Sequence, residues 1–146
     1  MINLQIMVDV RKLFIDADAF VAIKDENDPS HERAIILSTQ ALDLKMPLIT
    51  SDPALGEAIT VISQHGGLKL AIEFAEDILS GNIEIIEVDS ALRRKALDIF
   101  KKQTSKNSRF TDCVNMAIMK EQSLTKIFSF DAQYKKNGFK RFGIDE

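Results

Sequence analysis

Five acidic residues of the 146-residue chain stand where they can do chemistry together: Asp16, Asp18, Glu57, Asp112 and Asp131. Asp16 and Asp18 follow the apolar run Leu13-Phe14-Ile15, and Asp131 follows Ile127-Phe128-Ser129-Phe130. Short apolar runs closed by polar residues read as buried strands of a parallel sheet, whose carboxyl ends open on one edge. Asp112 stands at the start of a predicted helix, and Glu57 lies in the first turns of another that begins near Pro53. Helix N-termini in such folds point to the same edge. Like charges brought together are unfavourable unless a cation neutralises them or one binds a proton. Carboxylate and water oxygens suit Mg²⁺ or Mn²⁺, and the matching reaction class is metal-assisted phosphodiester hydrolysis. Each acid also has an ordinary reading. Asp16 or Asp18 can cap the next helix, Asp112 can be a first-turn acid, Asp131 can cap a helix over 132–137, and Glu57 can face solvent.

The elements that must position these acids alternate along the chain. Strands are expected over 12–16, 46–50, 83–88, 126–131 and 139–142. Between them, helices are expected over 19–24, from Asp28-Pro29 through Leu44, from Asp52-Pro53 to Gly66, over 68–80, from Asp89 or Ser90 through Phe100, and over 111–121. The third of these helices has an apolar stripe of Leu55, Ala58, Ile59 and Ile62, and the fifth one of Leu92, Ala96, Ile99 and Phe100. Cys113, Met116 and Ala117 face inward on the helix over 111–121. The alternation predicts an α/β fold, a three-layer α/β/α sandwich around a mostly parallel sheet. No repeat or linker divides the chain, so residues 1–146 are read as one domain, with residues 1–11 a leader of uncertain structure.

Composition narrows the class. Hydrophobic residues make up 45% and charged residues 28%, as in an ordinary globular protein. The single cysteine, Cys113, permits no intramolecular disulfide and fits a reducing, cytoplasmic setting. With only His31 and His65 beside it, a cysteine-rich zinc site is excluded. No stretch has the apolar length of a transmembrane helix, so no membrane partner is expected. The net charge of −3 divides unevenly: residues 1–88 carry 6 Lys and Arg against 15 Asp and Glu, and residues 89–146 carry 13 against 7. An acidic half beside a basic half suits a metal site next to a polyanion track, although two solvated helix faces would give the same count.

Four stretches together resemble the PIN-domain ribonucleases, and among them the VapC-type toxins of toxin–antitoxin pairs. They are Phe14-Ile15-Asp16-Ala17-Asp18-Ala19-Phe20, the strand-to-helix passage Leu48 to Glu57, Phe110-Thr111-Asp112-Cys113, and Ile127-Phe128-Ser129-Phe130-Asp131. Tyr134 and Gly138-Phe139 are similar to the family's end. Asp18 stands where Ser, Thr or Asn is commoner, and Cys113 where alanine is. The resemblance implies that Asp16, Asp112 and Asp131 hold Mg²⁺ or Mn²⁺, with Glu57 binding directly or through water. It implies a supporting role for Ser129, to which the departure at Asp18 adds a fifth acid in a supporting place, and RNA hydrolysis leaving a 5′-phosphate and a 3′-hydroxyl. It further implies a small antitoxin partner, a homodimer, and basic rim residues such as Lys106, Arg109 and Lys135 that hold RNA.

Three other readings compete. Asp16-Ala17-Asp18 is similar to the nucleophile motif of haloacid-dehalogenase phosphatases, but Phe20 replaces the usual Thr or Val and the later acidic pair is absent. A non-catalytic RNA- or protein-binding module needs none of the acids. A phosphorylated receiver domain lacks the Asp and downstream lysine it requires.

Overall fold

Leu13, Phe14 and Ile15 form β1, fully buried, at the centre of the sheet. The structure, a computed structural model, describes residues 11–145; of the expected leader over 1–11, residues 1–10 lie outside them. Chain order is then α1 (Ala17–Lys24), α2 (His31–Asp43), β2 (Leu48–Ser51), α3 (Asp52–Gly66), α4 (Leu68–Ser80) and β3 (Glu84–Ile86). After these come α5 (Ser90–Lys101), α6 (Phe110–Glu121), β4 (Lys126–Phe128), α7 (Ala132–Lys136) and β5 (Lys140–Arg141). The strands lie in the order β3-β2-β1-β4-β5, and every pairing among the described residues is parallel.

The period-two alternation of β1 sorts the core into two layers. Leu13 and Ile15 join Phe20, Leu37, Leu55, Ile62 and Phe74 from α1 to α4 on one face. Phe14 points to the other face, among Leu92, Ala96, Met116, Ile118 and Tyr134. The expected three layers are therefore present. The chain builds outward from β1 through β2 to β3, then returns through α5 and α6 to place β4 on β1's other side. The order reverses between β1 and β4, and ligands of open α/β sheets bind beside such a reversal, outside the carboxyl ends. Asp16 leaves β1 there, and Ser129 leaves β4.

Local chemistry moves several predicted boundaries. Asp28 does not start a helix; its Oδ1 accepts from the Ser30 N–H at 2.8 Å in a tight turn, and α2 begins at His31. The cap of α3 is Ser51, not Asp52: the Ser51 hydroxyl accepts from the Ala54 N–H at 3.2 Å. Asp52 is the first helical residue, where its charge complements the helix dipole, and Pro53 needs no N–H in that turn. β4 stops at Phe128, so Asp131 lies three residues past the strand and caps α7 instead. Phe100 is 39% exposed rather than part of the core. Helix α6 is buried on all sides from Asp112 to Met119, because both the sheet and α5 cover it.

Candidate active site

Asp16 caps α1 and is 4% exposed. Its Oδ1 accepts from the Ala17 N–H at 2.8 Å and from Asn115 Nδ2 at 3.2 Å, and its Oδ2 faces the Ser129 hydroxyl at 3.1 Å. The capping reading and the chemical reading therefore describe one side chain. Asp18 projects from the first turn of α1. Its Oδ2 accepts from the Phe130 N–H at 2.8 Å and lies 3.3 Å from Ser129 Oγ, while its Oδ1 is buried without a partner. The Ser129 hydroxyl also accepts from the Asp131 N–H at 3.1 Å. Its single proton can serve Asp16 or Asp18, one at a time.

Asp112 sits in the first turn of α6 and is 7% exposed. Tyr134 donates its hydroxyl to Asp112 Oδ1 at 3.2 Å, and Asp112 Oδ2 is buried with no partner. Asn115, one turn further along α6, joins these groups. Its amide donates to Asp16 and, at 3.0 Å, to the Tyr134 oxygen, and its Oδ1 accepts from Ser51 Oγ at 2.7 Å. The network thus runs from the cap of α3 through α6 to the end of β1 and to α7. Asn115 was missed as a site residue from the sequence. The available signal was a polar residue three positions after Asp112, inside an otherwise apolar helix stretch.

Electrostatics bind the acids into one group. Burial above all raises Asp16 to about 6, with the charge of Glu57 adding to it, against hydrogen bonds from Ala17 and Ser129. Burial and the Asp16 charge raise Asp18 to about 7. Burial and the charges of Asp16 and Asp131 raise Asp112 to about 7, opposed by Tyr134 and Arg109. Burial and the charges of Asp16 and Asp112 lift Tyr134 well above its ordinary value, so its hydroxyl stays a donor. Cys113, beside Asp112, is buried and raised to about 11, which makes it an inert thiol.

The outer residues are arranged differently. Asp131 Oδ1 is occupied by the Gln133 N–H at 2.9 Å as the α7 cap. Glu57 Oε1 pairs with Arg109 Nη1 at 3.3 Å. Of the other basic residues expected at the rim, Lys106 is exposed, and Lys135 lies 3.9 Å from Asp145.

Among the described residues, no three His, Cys, Asp or Glu side chains are already gathered as a ligand set. The donor chemistry nonetheless fits a hard divalent cation. The donors are oxygens, two buried carboxylate oxygens lack partners, and burial together with neighbouring charges holds up the pKa values of Asp18 and Asp112. A coordination shell would be completed by water and by side-chain movement.

A parallel α/β domain with carboxylates at its topological reversal is the class that fold and site define. The chain belongs to the PIN domain family, whose profile matches residues 13–140. The 23S rRNA-specific endonuclease VapC20 of Mycobacterium tuberculosis is 24% identical over 128 residues, covering 87% of this chain and 95% of that protein. The VapC ribonuclease of Archaeoglobus fulgidus is 28% identical over 124 residues, covering 82% and 77%. The crystal structure of M. tuberculosis VapC20, described as a sarcin–ricin loop cleaving toxin, superposes with a TM-score of 0.78 at 22% identity, covering 88% of this chain and 97% of that one. This last likeness is one of fold. The resemblance to PIN-domain ribonucleases of VapC type is borne out, and so is the nuclease class of activity that it implied. Nucleases of this family generally depend on a divalent metal. No helix among the described residues is long and apolar enough to cross a membrane.

Proposed function

We propose that this chain is a Mg²⁺- or Mn²⁺-dependent endoribonuclease and the toxin of a toxin–antitoxin pair. The observation that carries the reading is the group of mutually repelling carboxylates around the unpaired Asp112 Oδ2. Asp16, Asp112 and Asp131 would hold the ion, with Glu57 binding directly or through water. A bound divalent cation would neutralise charge on the phosphoryl group and lower the pKa of water at the site. The chain's own contribution is orientation. Asn115 and Ser129 fix the two oxygens of Asp16, and Tyr134 fixes one oxygen of Asp112 and leaves the other free. Asp18 ties the exit of β4 to α1 through Phe130 and so supports Ser129.

The named target of the VapC20 relative makes 23S rRNA the first substrate to test. An antitoxin would offer an apolar segment ending in Arg or Lys, the cation pairing with the carboxylates. An apolar cavity of about 160 Å³ fits the apolar part. Phe20 and Ile23 of α1 line it together with Ala41, Phe74 and Ile78 from α2 and α4. Exposed Ile36, Leu42, Leu68 and Leu79 offer apolar surface for a homodimer.

The test is cleavage of ribosomal RNA by purified protein with Mg²⁺, with Mn²⁺ and with EDTA. Turnover is expected with either ion and none with EDTA. Undiminished turnover in EDTA would rule out the metal mechanism. Expression of the chain alone should slow growth, and harmless expression of an active nuclease would remove the toxin role.

A further inference from the structure

A second feature lies beside the acidic edge, on the basic half of the chain. Ser90, Arg93, Arg94 and Leu97 follow the i, i+3, i+4, i+7 spacing and form one stripe of α5. The opposite stripe, Leu92 and Ala96, is buried. The outward stripe and Phe110 line an open pocket of about 360 Å³. Phe110 is 39% exposed, although an aromatic ring is a costly group to leave in water. Phe100 meets it at 71° with ring centroids 5.9 Å apart and takes no part in the pocket lining, so Phe110 is backed without being covered. Among the described residues neither Arg93 nor Arg94 forms an ion pair. Phe110 opens α6 two residues before Asp112, and it follows Arg109, which pairs with Glu57.

We infer that this pocket binds a base of single-stranded RNA flanking the cleaved phosphate. Phe110 would stack on the base, and Arg93 and Arg94 would hold the adjoining phosphates. An exposed aromatic ring with unpaired arginines is the combination that single strands use, since every base has a stacking face and every linkage a charge. Arginine suits it further because its planar guanidinium both pairs with phosphate and stacks. Charge favours RNA over an acidic protein only together with the ring, since phosphate contacts alone position the strand and carry no base preference. The inference rests on the ribonuclease reading and adds to it the place where the strand enters.

The chain contains no tryptophan, so a Phe110→Trp variant carries one indole reporter. It is made in an Asp16→Asn background, where the RNA stays intact, and titrated with a single-stranded oligoribonucleotide at fixed salt. Quenching of the indole on saturation is expected, with affinity close to that of the parent. Phe110→Ala should weaken binding about tenfold. Arg93→Gln and Arg94→Gln should each lower the salt slope of log Kd by about one. Indole emission unmoved by saturating RNA, or unchanged affinity in a folded Phe110→Ala variant, overturns the pocket. If wild-type protein still cleaves RNA in that case, the nuclease reading survives. If the variants bind RNA as the parent does but lose self-association in sedimentation, the patch belongs to a second copy of the chain and the RNA pocket is overturned. Absence of binding in the parent together with absence of cleavage by the wild-type protein overturns both readings.

Discussion

The inner and outer parts of the acidic edge are built on different terms. Inside, Asp16 and Asp112 are linked through Asn115 and Tyr134, all four buried; burial raises the energy of both charges, and the Asp16 charge adds to that of Asp112. Outside, Glu57 and Arg109 pair at 3.3 Å with side chains 37% and 69% exposed. A buried network is strong only when every member is satisfied, and a missing partner there is costly. An exposed ion pair is screened and contributes little. The inner part therefore stores the requirement for a counter-ion, and the outer pair is free to open when a cation or a phosphate arrives.

The comparison is broken most directly at the inner carboxylates. Asp16→Asn and Asp112→Asn should each reduce RNA cleavage by about a thousandfold or more, since several kcal/mol of charge stabilisation is removed. Asp131→Asn should do the same if it shares the ion. Each amide keeps the shape of the acid, and at pH 8 without metal the Asp112→Asn protein should melt higher than wild type. Wild-type turnover by a purified Asp112→Asn protein would remove that residue from the site.

Asn115→Ala removes the hub and no carboxylate. It leaves the Ser51 hydroxyl without its acceptor and Asp16 and Tyr134 each without a donor. A loss of ~1–3 kcal/mol in denaturant unfolding is expected, together with a drop in metal affinity or activity of about 10–100-fold. Unchanged metal affinity with lowered stability would reduce Asn115 to a packing role.

Protonation sharpens the contrast without any substitution. Asp16, Asp18 and Asp112 stand at about 6 to 7 in the folded chain against an ordinary 3.8. The folded state holds these protons more tightly than the unfolded chain does, so their contribution is full below about pH 4 and is lost as pH rises through 6 to 7. Metal-free protein should therefore show a falling Tm across that window. Mg²⁺ should raise Tm more at pH 8 than at pH 5, because it binds the ionised form. A Tm that rises across the window would contradict the burial of these acids.

The smallest effects belong to the rim. Arg109→Ala should change unfolding free energy by less than ~1 kcal/mol, while Glu57→Gln should act on metal affinity rather than on stability. If Arg109→Ala destabilised the protein as strongly as Asn115→Ala, the distinction between the two parts would fail.

By itself the sequence determined the alternation of strands and helices, since a buried parallel strand and an amphipathic helix each leave a periodic trace within about a dozen residues. It also determined that Asp16 and Asp112 open onto a common edge, because a strand end and a helix start in a parallel fold share a direction. The tertiary structure decided what those residues touch. The hydrogen bond from Asn115 to Asp16 spans 99 positions, and the Ser129 hydroxyl reaches across 113. Neither leaves a local pattern, and both depend on β4 being laid beside β1 after β2 and β3 have formed on the other side. Local competition was equally hidden. Ser51 displaced Asp52 as a cap because its hydroxyl reaches the Ala54 N–H, and Asp131 lies beyond its strand because β4 stops at Phe128 and the carboxylate takes the Gln133 N–H of the next helix.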